Sequence, residues 1–232
     1  MVSEILAVSA AWSRAVIESA VDLPSWTQDA AHAGTDLFLG VFALLFLAAW
    51  WRARSVSPRL VGLALFAPVA TVVAYAVSNT VKSFFEQTRP CQAMTDLATI
   101  ATCDPVGDWS FPSNHAAIAG AAAAALVLAW RRIAVVAVLV ALLEAFSRVL
   151  VGVHYPHDVT AGLLIGATVA VLASLATARP MTELTGILAR NDRLRPLVRA
   201  DRPGAPDTVA RPAPATSEDT AETPAGDRPV RV

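Results

Sequence analysis

The sequence predicts an all-α fold, a polytopic membrane bundle of about five transmembrane helices with an interfacial helix before them. Of its 232 residues, 55% are hydrophobic and only 16% are charged, and the mean hydropathy is +0.52. Residues 60–81 and 159–178 contain no charged side chain, and each run is long enough to cross a hydrocarbon core of about 30 Å. This is the composition of a membrane protein and not of a soluble globule.

The charged and apolar residues then assign each element in order. Residues 1–34 form an N-terminal segment whose first 22 residues mix charged and apolar side chains without the pattern of a signal peptide, so we expect an interfacial helix there. A transmembrane domain follows at residues 35–178, and its second and third spans are separated by a long polar loop, the kind that is more often functional than idle. The predicted spans are Thr35–Trp51, Leu60–Val81, Ser113–Trp130, Ile133–Val153 and Val159–Ala178.

Arginine clusters predict the orientation of the bundle. They lie between spans one and two, between spans three and four, and after span five, which places all three on one face and, by the positive-inside rule, in the cytoplasm. The N-terminus, the loop 82–112 and the turn after Val153 then share the extracytoplasmic face. Residues 180–232 hold 8 of the 15 prolines, so residues 179–232 are predicted to be a disordered cytoplasmic tail.

The first candidate site residues are Lys82 and Arg89, which flank the start of that loop. Lys82 is the single lysine among 18 basic residues, and Arg89 is followed by Pro90. The alternative is that both side chains merely extend towards lipid headgroups, as basic residues at membrane edges do.

The second candidate cluster is the run from Pro112 to His115 at the start of span three. Ser113 or Asn114 can cap a helix there, and the free N–H groups of a helix start can bind an anion. The alternative is an ordinary helix cap with an incidental histidine.

The third candidate cluster spans the end of helix four and the turn into helix five. Arg148 is costly in an apolar helix and should face a polar cavity, and Glu144 stands at the i, i+4 spacing of a salt bridge with it. Asp158 follows His154 by four residues, so its carboxylate could fix the histidine tautomer and leave the other ring nitrogen free to attack. A buried structural His–Asp pair is the alternative.

Together the clusters place three cations, two histidines and a carboxylate on one membrane face. This set fits phosphoryl transfer, because the transition state of that reaction spreads negative charge over phosphate oxygens that Lys, Arg and helix N–H groups can stabilise.

The three clusters resemble the three-part signature of the type 2 phosphatidic-acid phosphatase superfamily, in its membrane branch, in order and in spacing. The resemblance implies that His154 attacks phosphorus to form a phosphohistidine, that Asp158 orients it, and that His115 protonates the leaving oxygen. It also implies that no metal or cofactor is required. The phosphate would be held by Lys82, Arg89, Arg148 and Ser113. The matching residues are Lys82-x6-Arg89-Pro90, Pro112-Ser113-Asn114-His115 and Ser147-Arg148-x5-His154-x3-Asp158.

One position departs from the family's pattern. Asn114 stands where the family usually has glycine, and its amide can itself donate to a phosphate oxygen. Relatives resembling undecaprenyl-pyrophosphate phosphatases tolerate a polar residue there, which favours a polyprenyl pyrophosphate as substrate. Phosphatidic acid, phosphatidylglycerol phosphate and a polyprenyl-phosphoryl sugar phosphate stay open as alternatives. Cys91 and Cys103 could form a disulfide that stiffens the loop or remain unpaired.

The predicted function is therefore a metal-independent lipid phosphatase of the bacterial inner membrane, with its site on the extracytoplasmic side. The bacterial placement rests on richness in alanine and the near-absence of lysine. A net charge of −1 gives no reason to expect a nucleic-acid partner, and the sequence does not determine the oligomeric state.

A different class of function is a lipid carrier or proton-linked transporter in which Glu144, Arg148, His154 and Asp158 form a relay. Lys82 argues against this alternative, because a relay has no need of a lysine and an arginine on a separate loop, whereas a phosphate site does.

Overall fold

The computed structural model describes residues 2–199, and within that range it contains helices and no strand. Four helices have the length and apolar composition to cross a membrane, and a fifth apolar helix, Asn114–Ala129, is shorter. The prediction of an all-α membrane bundle is confirmed. The helices are α1 (Val2–Val21), α2 (Ser25–Ala53), α3 (Pro58–Lys82), α4 (Pro90–Ala93), α5 (Asn114–Ala129), α6 (Ala134–Leu150), α7 (Pro156–Leu188) and α8 (Arg195–Val198).

The short helix α5 forms the centre of the bundle, where it packs against α2, α3, α6 and α7. Its sequence is dense in alanine and glycine, and small side chains allow backbones to approach closely. A Cβ atom added at Gly120 would collide with the Leu163 carbonyl, and one added at Gly166 with the Ala117 carbonyl. Glycine on both helices therefore sets the close contact between α5 and α7.

Helix α7 extends ten residues beyond the predicted end at Ala178, although Pro180 lies inside it. Tertiary contacts compensate for the proline: the Thr185 hydroxyl donates to the Pro58 carbonyl at 3.1 Å, and the backbone of Met181 packs against Gly62. The predicted tail boundary at residue 178 thus falls inside a helix.

The part of the predicted tail that the structure describes also docks onto the bundle. The Trp50 indole donates to the Leu197 carbonyl at 2.9 Å, and Arg54 donates to the Pro196 carbonyl at 2.8 Å. The prediction of disorder is wrong for these residues, because cationic and aromatic side chains at the end of α2 satisfy the carbonyls of α8. For residues 200–232 the prediction lies outside the described residues.

The N-terminal region differs from the predicted pattern at one boundary. Helix α1 matches the expected first helix, and its buried face of Ser9, Ser13, Ile17 and Ala20 packs against α6 and α7. Helix α2 starts at Ser25, ten residues before the predicted start of the first span, because the polar residues before Thr35 continue the helix beyond the apolar run.

One end of the bundle gathers the three predicted clusters. Lys82 ends α3, Ser113 caps α5 by accepting from the Ala116 N–H, and Asp158 lies in the first turn of α7. The loop between α3 and α5 crosses this end and carries a disulfide between Cys91 and Cys103.

Candidate active site

His154 lies in the short connection between α6 and α7. Gly152 makes the turn with a φ of +87°, a conformation that a side chain would strain, and the His154 N–H then donates to the Arg148 carbonyl at 3.2 Å. The ring is only 1% exposed. Its Nδ1 lies 3.5 Å from Asp158 Oδ2 and 3.4 Å from the Ser110 hydroxyl oxygen.

The Asp158 carboxylate is fixed by the start of α7. Its Oδ2 accepts from the Tyr155 N–H at 2.8 Å, which closes the first helical turn, and also from the Ser110 hydroxyl. The carboxylate is fully buried, and a negative charge is favourable at a helix N-terminus. These bonds hold the carboxylate beside His154 Nδ1 as the sequence predicts.

The His154 ring is neutral at physiological pH. Burial lowers its pKa to about 3, and the charges of Arg89 and Arg148 act in the same direction as burial, while the hydrogen bond with Asp158 opposes them. A carboxylate facing Nδ1 favours the tautomer with its proton on Nδ1. The lone pair then lies on Nε2, which is 3.3 Å from Nη1 of Arg89. The free nitrogen therefore points at a cation.

Arg89 connects His154 to the loop between α3 and α5. Its Nε donates to the Asp108 carbonyl at 2.8 Å, and its Nη1 lies 3.2 Å from the Val153 carbonyl and 2.9 Å from the Asp104 carboxylate. The guanidinium is almost fully buried. Because several acceptors hold this planar group, its orientation beside His154 is well determined.

Lys82 and Arg89 share one counter-ion. Asp108 Oδ1 lies 3.0 Å from Lys82 Nζ and 3.1 Å from Arg89 Nη2. Partial burial alone would raise the pKa of Asp108, but the two cations outweigh that effect and hold the pKa below its ordinary value. The carboxylate is thus ionised at neutral pH, and since 47% of it is exposed, an incoming anion can reach the cations that it neutralises.

The remaining predicted phosphate ligands form no side-chain hydrogen bond to His154, Asp158 or Arg89 that the structure shows. Arg148 interacts electrostatically with His115 and with Arg89. Ser113 is buried as the cap of α5, and its backbone N–H donates to the Asp158 carbonyl at 3.1 Å. The Asn114 side chain bonds to α3, where it accepts from Ser78 and donates to Asn79; the lengths are 2.8 and 3.1 Å.

The expected salt bridge between Glu144 and Arg148 is not formed. Glu144 is fully buried, and neither carboxylate oxygen has a hydrogen-bond partner within the described part of the chain. Correct helical spacing brings two side chains to one face, but the long arginine side chain is free to point elsewhere. Glu144 therefore does not hold Arg148 in place as the sequence suggested.

Several polar residues of this site belong to no motif that the sequence analysis could recognise. Ser110, Asp104 and Asp108 come from an irregular loop whose course depends on tertiary contacts, and Gln87 and Ser9 reach the site through His157. The length of the loop and its disulfide were the signals that could have drawn attention to the first three. Within residues 2–199 no group of three His, Cys, Asp or Glu side chains is arranged to hold a metal ion.

The sequence around this site matches the profile of a known protein family. The profile of the PAP2 superfamily matches residues 63–181, a range that includes Lys82, His115 and Asp158. The chain belongs to the PAP2 superfamily. This confirms the resemblance drawn from the three clusters.

Two curated relatives differ in the substrates that their names state. The chain is 31% identical over 132 residues to the undecaprenyl-diphosphatase BcrC of Bacillus subtilis, covering 56% of this chain and 65% of that protein. It is 37% identical over 106 residues to the decaprenylphosphoryl-5-phosphoribose phosphatase of Mycobacterium tuberculosis, covering 45% of this chain and 56% of that protein. The chain thus matches less than two thirds of the length of these relatives.

A solved structure shares the fold. It is a transmembrane PAP2-type phosphatidylglycerolphosphate phosphatase from Bacillus subtilis, with a TM-score of 0.54, 20% sequence identity, and coverage of 73% of this chain and 84% of that chain. The likeness supports the helix arrangement around the site.

Proposed function

We propose that this PAP2 protein is a membrane lipid phosphatase that removes a terminal phosphate from a lipid pyrophosphate or phosphomonoester through a phosphohistidine. The observation that supports it most directly is the position of His154. One ring nitrogen faces the Asp158 carboxylate, and the other faces the guanidinium of Arg89, 3.3 Å away. A nucleophilic nitrogen beside a cation suits attack on a phosphate that the same cation holds.

The proposed reaction has two steps. His154 Nε2 attacks phosphorus and forms an N–P bond while the P–O bond to the lipid breaks, and His115 gives its proton to the leaving oxygen. A water molecule then attacks the phosphohistidine, His115 takes its proton, and the N–P bond breaks to release inorganic phosphate. Asp158 keeps the proton on Nδ1 and stabilises the charge that the ring acquires.

Lys82, Arg89 and Arg148 bind the phosphate oxygens in this proposal, and Ser113 and Asn114 lie at the adjacent helix start. A phosphate dianion competes with Asp104 and Asp108 for the cations, and its greater charge and number of acceptor oxygens favour the exchange. No metal takes part, because the cations of the chain itself supply the positive charge that phosphoryl transfer requires.

A polyprenyl pyrophosphate is the proposed substrate, and the site opens on the extracytoplasmic face of a bacterial inner membrane. The names of the relatives support a polyprenyl chain, since both act on undecaprenyl or decaprenyl compounds. A site at headgroup level lets phosphate leave to water while the lipid stays in the bilayer. Phosphatidic acid, phosphatidylglycerol phosphate and a polyprenyl-phosphoryl sugar phosphate are the competing substrates.

Phosphate release by the detergent-purified protein tests the proposal. Wild type is offered the four lipids with chelator present, beside His154→Ala and the control His32→Ala, whose histidine lies in α2. We expect chelator-resistant release from the polyprenyl pyrophosphate, a loss of at least about 1000-fold in His154→Ala, and unchanged release in His32→Ala. An alkaline quench, used because the N–P bond is labile in acid, should trap labelled phosphohistidine in wild type and His32→Ala but not in His154→Ala.

Each contrary result identifies the claim that fails. Near-normal turnover of His154→Ala rules out the covalent mechanism. Loss of release on adding chelator rules out metal independence. If no phosphate is released from any of the four lipids, the carrier or transporter hypothesis becomes the favoured one.

A further inference from the structure

His157 joins four separate parts of the chain at the start of α7. Its ring stacks between Tyr155 and Phe111, with centroids 5.4 and 6.0 Å away. Its two nitrogens contact Ser9 of α1 and Gln87 of the loop after α3. The next residue is Asp158. A ring with two stacked aromatic neighbours and a polar partner at each nitrogen has little freedom to move.

Ser9 is the contact that brings the N-terminal helix to this ring. Its hydroxyl oxygen lies 2.7 Å from His157 Nδ1 and also accepts from the His157 backbone N–H at 3.3 Å. Ser9 is buried on the face of α1 that packs against α6 and α7. One hydroxyl of α1 thus fixes both the backbone and the ring of His157.

The other nitrogen faces the carboxylate that orients His154. His157 Nε2 lies 3.0 Å from Asp158 Oδ1, while the amide of Gln87 approaches the same nitrogen with its oxygen at 3.1 Å and its own nitrogen at 2.8 Å. Two lone pairs would repel at 3.0 Å, so the ring proton belongs on Nε2, and Nδ1 is the acceptor of the Ser9 hydroxyl. Within residues 2–199, Asp158 Oδ1 has no well-aligned hydrogen bond of its own.

We propose that His157 is a positioning residue, which holds Asp158 in place, and that α1 acts on the active site through Ser9 and His157. The proposal rests on the proposed function in one respect, the role of Asp158 in orienting His154. Ser110 and the Tyr155 N–H bond to one carboxylate oxygen, and the His157 ring, itself fixed by Ser9 and Gln87, contacts the other at 3.0 Å. This contact limits the rotation of the carboxylate away from His154.

The test compares two serines on the same face of α1. Ser9→Ala removes the hydroxyl that holds His157. Ser13→Ala, one turn later, removes a buried hydroxyl without a hydrogen-bond partner in the described part of the chain. We expect Ser9→Ala to lower kcat about 5-fold with KM unchanged, as for one lost hydrogen bond, and Ser13→Ala to leave both constants unchanged.

A third variant shows whether Ser9 acts through His157. His157→Phe keeps the stacking with Tyr155 and Phe111 but lacks both nitrogens, and we expect it to lower kcat by about 10-fold or more. Adding Ser9→Ala to that background should then lower kcat by less than it does in wild type, because the ring nitrogen is gone and only the bond to the backbone N–H of residue 157 is left to lose. Equal kcat for Ser9→Ala and Ser13→Ala, or normal kcat for His157→Phe, would overturn the proposal.

Hydrogen exchange separates this proposal from the proposed function. We expect the Tyr155 N–H, followed at single-residue resolution, to exchange faster in Ser9→Ala than in Ser13→Ala, since the Asp158 carboxylate protects it. If wild type releases no phosphate from any lipid, the proposed function fails and this comparison still decides the positioning role. Identical exchange in the two variants contradicts it.

Discussion

His154 combines burial with an orienting carboxylate, and the two have opposite effects on its protonation. Transfer out of water disfavours the imidazolium, whereas Asp158 favours it, and burial is the larger effect. The ring therefore keeps its lone pair at pH values where an exposed histidine would begin to lose it. A nucleophile that is unprotonated before substrate arrives needs no separate base to activate it.

The pH titration of the ring tests this explanation. Because the folded pKa is about 3, below the ordinary value of 6.5, we expect the His154 ring signals in NMR spectra of ¹⁵N-histidine-labelled protein to stay in the neutral position from pH 8 down to about pH 5. Comparison with His154→Ala assigns the signals. A midpoint near 6.5 for His154 would show that the ring is hydrated or that Asp158 is not beside it.

At this scale the sequence predicts candidate reactive groups but not the contacts that position them. His154 and Asp158 are only four residues apart in sequence, so their short separation alone keeps them close. Ser110 is 48 residues from Asp158, and its hydrogen bond depends on the path of the loop. Glu144 shows the opposite error, since it has the right spacing for Arg148 but no salt bridge with it.

Helix boundaries follow tertiary contacts more than apolar runs. The sequence locates every long helix, because about 20 apolar residues in succession leave few other structures open in a membrane. It does not locate the end of α7, where Thr185 and Pro58 form a bond across 127 residues of sequence. It likewise misses α8, which bonds to the side chains of Trp50 and Arg54.

The contact between α5 and α7 yields a prediction at the scale of elements. Gly166→Ala places a methyl group against the Ala117 carbonyl, and overpacking of this kind costs about 1–3 kcal/mol. Gly186 lies on the same helix with no atom within 4 Å of its added Cβ, so Gly186→Ala should be neutral or slightly stabilising. We expect a lower thermal unfolding midpoint in detergent for Gly166→Ala only.

Equal midpoints for the two glycine variants would mean that α5 and α7 move apart to accommodate the added methyl group without a loss of stability. The central position of α5 would then not depend on close backbone contact. Since α5 carries Ser113 and His115 at its start, a loose contact would also leave the second cluster without a fixed position relative to Asp158.

Within residues 2–199, charged side chains gather at the two ends of the helix bundle. The candidate site, with Lys82, Arg89 and Arg148, occupies one end of the bundle, and its carboxylates neutralise much of that charge. The opposite end carries arginines that stack on aromatic rings, as Arg54 does on Trp51 at 3.8 Å and Arg52 on Trp130 at 5.2 Å. This second set is the one that the positive-inside rule assigns to the cytoplasm.

Labelling of cysteines introduced at the two ends tests that orientation. Val106 is 90% exposed in the loop that carries the candidate site, and Val56 is 49% exposed in the turn between α2 and α3 at the other end of the bundle. Both native cysteines are paired in a disulfide and do not react. In intact cells, a membrane-impermeant maleimide should label the Val106→Cys protein and should reach Val56→Cys only after lysis. The reverse pattern would place the candidate site on the cytoplasmic side and would overturn the extracytoplasmic assignment. A lipid pyrophosphate would then have to reach the site from the inner leaflet, but the chemistry proposed for His154 would be unchanged.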